Sequence, residues 1–309
     1  MHAAVLATIL ALFSAAAWAD DPSASVGLQV EVDGEDGRAV AGDLTWFAGP
    51  ATQVFASASF ADTGNALAGL STRGFSIGAG HDFGRIALDG WYEQWQDSDV
   101  VTARSFNAAL HVEAGAVAVS LLGQLRDSEF EPFDASATVT LRTGQTVTVN
   151  AVADCTLDNS GLGLGFAWRG ERLEAYARAM WFDYDDVGCS FDSPALELLR
   201  RNRPAIFAQF APRVTAPLAV NATTRIGAEN ALLEYSAGAG VGWDTGARRY
   251  GLDYLHQRDY FTALEAGTLS ASVAFRVDAG LELTVEGGAT DGDALSSVWF
   301  AGLGLRKLF

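Results

Sequence analysis

Ionisable side chains recur at alternate positions of otherwise apolar stretches, a spacing that gathers charge on one face of an extended strand. Asp89, Glu93, Arg126, Glu174, Arg178, Arg225, Glu234, Asp253, Arg276 and Glu286 all stand opposite rows of apolar residues. Glu31, Asp43, Arg104, His111, Glu113, Glu282 and Arg306 read the same way. Facing a water-filled passage, such groups sort solutes by charge, and acids outnumbering arginines implies a mild preference for cations. For any single residue, pairing within the wall is the plainer role.

Little else has the spacing that covalent or metal chemistry needs. His81 and His256 fall on the apolar side of their strands without a serine at the same depth or a legible acidic partner, and His111 points the other way alone. No catalytic set follows, and no enzyme is expected. Cys155 and Cys189, the only cysteines, have no further cysteine or histidine at ligand spacing, so neither zinc nor a cofactor is expected. In an exported chain their default state is one disulfide, stapling two neighbouring loops. The run Asp183, Asp185, Asp186 offers oxygen ligands for calcium but lacks the spacing of a calcium loop, which leaves a solvated acidic loop as the plainer reading. Arg200, Arg201 and Arg203 sit in a stretch, 194–203, that reads as a short helix.

The elements that hold these residues follow from the rest of the chain. Residues 1–19 lack acidic or basic side chains, run apolar and end Ala17-Trp18-Ala19, the pattern of a secretory signal. Residues 20–309 then form one domain. No apolar run there is long enough for a transmembrane helix, which needs about 20 residues, so any span must be built of strands. The net charge of −18 argues against nucleic acid and favours cations, including the divalent ions that bridge lipopolysaccharide.

Rows of period two repeat along the domain: Val26, Leu28, Val30, Val32; Phe106, Ala108, Leu110, Val112; Leu162, Leu164, Phe166, Trp168; Leu269, Ala271, Val273, Phe275. Short connections at 83–85, 113–116, 169–172 and 278–280 alternate with long ones at 61–72, 96–103, 127–160, 183–204 and 258–267. Trp46, Phe83, Trp168, Trp181, Trp243, Tyr250 and Trp299 fall near strand ends, where amphipathic rings suit a membrane interface. The fold class is therefore all-β: a transmembrane, antiparallel, up-and-down barrel of about sixteen strands. Twelve or fourteen stay open, because 205–226 carries Pro212 and Pro217 and reads ambiguously. Inside the loop 127–160 a short polar hairpin either folds inward or extends the wall, and extension is the preferred reading.

The chain closes on Ser297-Val298-Trp299-Phe300-Ala301-Gly302-Leu303-Gly304-Leu305-Arg306-Lys307-Leu308-Phe309. This strand resembles the C-terminal signal of Gram-negative outer-membrane β-barrel proteins, and the whole pattern is similar to porin-like channels; Lys307 departs from the usual aromatic or apolar residue. The resemblance implies contact with outer-membrane lipid, recognition of Phe309 by the barrel assembly machinery, passive diffusion of small solutes or ions, and a homotrimer as many porins form. The competing expectations are a closed structural or surface-binding barrel and, less well supported, a barrel lipid hydrolase.

Overall fold

In the computed structural model the described residues are 24–62, 71–97, 100–140, 146–229, 232–278, 280–293 and 295–309. The expected signal at 1–19 lies outside them. Nine strands come first: β1 (Ala24–Asp33), β2 (Arg38–Phe47), β3 (Thr52–Asp62), β4 (Ser71–Asp82), β5 (Ile86–Asp97), β6 (Val101–Ala114), β7 (Val117–Thr140), β8 (Thr146–Arg169) and β9 (Leu173–Tyr184). A short β10 (Gly188–Asp192) leads into helices α1 (Pro194–Asn202) and α2 (Pro204–Glu229). The strands β11 (Leu233–Asp244), β12 (Arg248–Asp259), β13 (Glu265–Asp278), β14 (Leu281–Gly292) and β15 (Leu295–Leu308) complete the chain.

Consecutive strands pair antiparallel, β9 passes over the insert to pair with β11, and β15 returns to β1 from Ser25 opposite Leu308 to Asp33 opposite Phe300. The Phe309 amide donates to the Ala24 carbonyl at 2.9 Å, so the terminal residue extends this seam. The result is a closed barrel of fourteen strands, with β10 as a fifteenth beside the far end of β8. Ala24 and Phe309 lie at the end with the short turns, several of which use glycine at positive φ: Gly84, Gly115 and Gly246.

The count of about sixteen is therefore high, and residues 204–229 account for it. They form α2 with both Pro212 and Pro217 inside it. Each proline removes one helical hydrogen bond, but Val214, Leu218 and Ala222 recur every fourth residue and are all fully buried, one continuous apolar stripe. Packing of that stripe outweighs the local penalty.

The 127–160 hairpin extends the wall, as preferred, but it is neither short nor polar throughout. β7 and β8 run 24 residues each. A register shift between Phe130 and Phe133 moves β7 by one residue relative to β8. Beyond it Phe133, Ala135 and Ala137 share the inner face with Val149, Ala151 and Ala153, while threonines and aspartates take the outside.

On the barrel proper the apolar rows point outward. Ile77, Phe106, Leu121, Leu162, Val241, Leu252, Leu269 and Leu303 are exposed on eight strands spread around the circumference, a surface far larger than a water-soluble monomer presents. Trp46, Trp168 and Trp243 lie on it near the short turns, and Trp181 and Trp299 near the opposite rim. No helix among the described residues is long and apolar enough to cross a membrane.

The neighbours Ser76 and Ile77 test this assignment because they sit on opposite faces of β4. Arginine at Ile77, in the apolar band, is expected to lower the unfolding free energy in lipid by about 2–4 kcal/mol, and arginine at lumenal Ser76 by much less. Denaturant titration of the two variants in liposomes reads the difference; equal losses would contradict the assignment of faces.

Candidate functional site: the barrel lumen

Cross-strand partners share a face, so the register traces the inner surface from residue to residue. Asp43 opposes Gly27 and Ser57, Ser57 opposes Ser76, Ser76 opposes Glu93, and Glu93 opposes Ser105, itself opposite Arg126. Across the barrel Arg178 opposes Gly165 and Gly238, Asp253 opposes Gly240 and Ser270, and Glu286 opposes Ser272 and Gly302. Of the predicted lining residues, Asp89, Glu93, Arg126, Glu174, Arg178, Asp253, Arg276 and Glu286 thus lie on the inward face of the wall. Small residues (Ser57, Ser76, Gly163, Gly238, Gly240, Ser270, Ser272, Gly302) separate them, and beside Gly240 the Tyr176 ring and the Asp253 carboxylate take the space that a larger residue would fill.

Three expected residues are placed differently. Arg225 falls in α2 and not on the wall, because the segment is helical; its side chain lies outside the described residues. Glu234 sits at a register shift between Leu233 and Tyr235 at the long-loop rim, where its carboxylate pairs with Arg258 at 3.2 Å. Arg104 shares the outward face with Phe106 and holds Glu129 through two hydrogen bonds of 3.0 and 3.1 Å.

Charges near the short-turn end are largely paired: Arg249 with Glu174 at 3.0 Å, Arg276 with Asp244 at 2.9 Å, and Arg306 with Asp43 at 3.7 Å. The Tyr176 hydroxyl donates to Asp253 at 2.6 Å. Further along the lumen Glu31, Glu93 and Glu286 have no described cation as partner, and Glu31 and Glu286 flank Gly302 from either side. The mid-lumen is therefore acidic on the β14–β15–β1 wall and at β5.

His111 is not alone. Its Nε2 lies 3.0 Å from Asp89 and its Nδ1 2.7 Å from the Ser120 hydroxyl. On the outer face His256 meets the Tyr235 hydroxyl at 2.9 Å and the Glu265 carboxylate at 3.7 Å, an acidic neighbour that needs the β12–β13 register to find. His81 shares its Nδ1 with the Thr52 hydroxyl at 2.7 Å. Among the described residues no group of three or more His, Cys, Asp and Glu gathers closely enough to hold a metal.

At the long-loop end the helices fill the concave face of the extended hairpin. Val214, Leu218 and Ala222 of α2 and Leu196 of α1 join Phe130, Ala135, Ala137, Val149, Ala151, Ala153 and Leu157 in one apolar core. Cys155 and Cys189 are bonded and directly opposite in the β8–β10 register, so the disulfide joins two strands and ties the base of the helical insert to the wall. A cleft of ≈ 570 Å³ remains between β10, α1 and α2, with Phe191, Leu196, Glu197, Arg200, Phe207 and Ala211 among its lining. The sequence pointed to the first helix, over 194–203, but not to the second, although the four-residue spacing of Val214, Leu218 and Ala222 was its signal.

A closed antiparallel barrel with lipid-facing rows, aromatic rings at both rims and a polar lumen is the architecture of outer-membrane porins and channels. No protein-family model and no curated protein matches the chain. Among solved structures it is similar to CymD, a monoaromatic hydrocarbon channel, at 9% identity and TM-score 0.51, over 93% of this chain and 88% of that one. It is also similar to a loop-deleted form of OmpT, an outer-membrane protein of Vibrio cholerae, at 11% identity and TM-score 0.44 over 93% and 98%. The KdgM porin aligns at 7% identity and TM-score 0.43 over 92% and 99%. At such identities the likeness is one of fold.

Two outcomes follow from the insert. Removing the disulfide by Cys155→Ser with Cys189→Ser costs the segment a cross-link worth about 3–4 kcal/mol for a loop of this size. The expected result is faster proteolysis within 188–229 with the barrel still folded, read by limited digestion and heat-modifiable migration. Hydrogen bonds from Arg200 and Arg201 hold the Glu197 carboxyl below its ordinary value of 4.5. A depressed acid contributes stability that is present above that ordinary value and lost as pH falls through the lower, folded one. Protection factors of the 194–202 amides, their exchange relative to the intrinsic rate at each pH, should thus stay level from neutrality to about pH 4.5 and fall only below it; a fall already at pH 6 would contradict the pairing.

Proposed function

We propose that the protein is an outer-membrane channel through which small solutes and ions diffuse passively, with a mild preference for cations. The observation that carries this reading is the lumen of a fourteen-strand barrel in which Glu31, Glu93 and Glu286 stand without described counter-ions among glycines and serines. A barrel of this size is too wide for such small side chains to fill. Carboxylates in a narrow aqueous passage with low-dielectric walls raise the local concentration of cations and lower that of anions.

In this reading the short turns face the periplasm, and the β7–β8 hairpin with the helical insert faces outward. Outward rim carboxylates such as Asp127, Glu129 and Asp183 then meet lipopolysaccharide phosphates through bridging divalent ions. The Phe309 strand, which must find β1 last, is the one offered to the assembly machinery. A second reading, a closed surface-binding barrel, draws on the helical layer that fills one side of the mouth.

Single-channel recording in a planar bilayer under a salt gradient separates the two. Stepwise openings with a reversal potential favouring cations are expected, together with a shift towards zero when Glu31, Glu93 and Glu286 are replaced by glutamine. A silent bilayer from a preparation with verified barrel folding would overturn the channel reading in favour of the closed barrel.

A further inference from the structure

The lumen holds a second chemistry that the channel reading does not use. We propose that Ser120, His111 and Asp89 form a nucleophile, base and orienting acid that hydrolyse small carboxylic esters in the lumen.

Three adjacent strands build the set. Ser120 on β7 is directly opposite His111 on β6, and Asp89 on β5 is the diagonal neighbour of His111, since Ala87 occupies the position opposite it. The Ser120 hydroxyl is 2.7 Å from His111 Nδ1, and His111 Nε2 is 3.0 Å from Asp89 Oδ2. Gln53 on β3 donates to the other carboxylate oxygen at 3.4 Å, so the acid is itself held from a fourth strand. A hydroxyl bonded to an imidazole whose second nitrogen is fixed by a carboxylate is the arrangement that makes serine a nucleophile; the fold that carries it is immaterial. Here the acid takes Nε2 and the serine Nδ1. That exchange of ring nitrogens leaves the proton path intact.

Access and space are also present. The side chains of His111 and Asp89 are 32% and 21% exposed in the lumen. Opposite Ser120 on β8 stands Gly165, where a Cβ would come within 3.2 Å of the serine Cβ, so the place beside the nucleophile is kept clear. One strand further, Arg178 opposes Gly165, with its backbone two strands, about 10 Å, from that of Ser120 and its Nε near Gly238 on β11. Leu122, two residues along the same face of β7, offers the acyl chain an apolar neighbour.

In the first step the Ser120 oxygen bonds to the ester carbonyl carbon as its proton passes to His111 Nδ1, while Asp89 stabilises the imidazolium. The bond from carbon to the leaving oxygen breaks, and that oxygen takes the proton from His111. Water, deprotonated by His111, then cleaves the acyl-serine and restores the hydroxyl. The sum is ester plus water giving acid plus alcohol, with no redox partner.

The test uses the full-length barrel refolded in detergent micelles, with a fluorophosphonate probe and p-nitrophenyl acetate. The expected result is a covalent adduct mapped by mass spectrometry to Ser120 and burst kinetics with the ester. Both are lost in Ser120→Ala, and turnover falls about 10²- to 10⁴-fold in His111→Gln. A merely structural hydrogen bond predicts folded barrels that take no label, and that outcome overturns the proposal. An adduct elsewhere, unaffected by Ser120→Ala, overturns it too. The same preparation is recorded in a planar bilayer, so loss of channel activity and loss of esterase activity are scored separately.

Discussion

The structure depends on one constraint: every backbone N–H and C=O within the apolar band must find a partner in the protein, because lipid offers none. A sheet meets it only by having no edge, which makes the β1–β15 seam the decisive contact. Its last bond joins Phe309 to Ala24 and engages the whole length of β1, from the first described residue to the turn at Gly34. The even number of strands in the ring and the placement of Ala24 and Phe309 at one end go with this closure.

Closure also sets the division of labour between faces. With most of the outside committed to apolar side chains, most ionisable side chains of the barrel wall point inward, where fourteen strands surround the lumen. Charges there meet across strands and not along them. Arg249 finds Glu174 from two strands away, across Gly242 of β11, and the three residues Ser120, His111 and Asp89 are separated in sequence by 9 and 22 positions. The unpartnered carboxylates and the hydrogen-bonded histidine are two products of the same geometry.

The insert between β9 and β11 is the one departure from the up-and-down plan. The extended β7–β8 hairpin turns an apolar concave face inward, and such a face needs cover. Helices α1 and α2 supply it, and the Cys155–Cys189 bond fixes where the insert begins. Cover and hairpin are mutually dependent: neither the alanine-lined strands nor the Val214, Leu218, Ala222 stripe would be buried without the other.

What the sequence determined by itself is whatever has a local period. Alternation marked the outward rows, the ends of those rows placed the aromatic rings, and the contrast of short and long connections gave the up-and-down order, because the period-two pattern is written in each strand separately. Register is not local. It decided that Asp89 and Ser120 meet His111, that Glu265 lies beside His256, that Arg104 faces outward, and that a shift at Leu233 and Tyr235 takes Glu234 to the rim. The strand number also needed tertiary structure, since 204–229 is helical only because the hairpin offers its stripe a surface to bury against, which outweighs two internal prolines. Position along a strand was legible in the sequence; position across strands, on which the chemistry of the lumen rests, was settled by closure and packing.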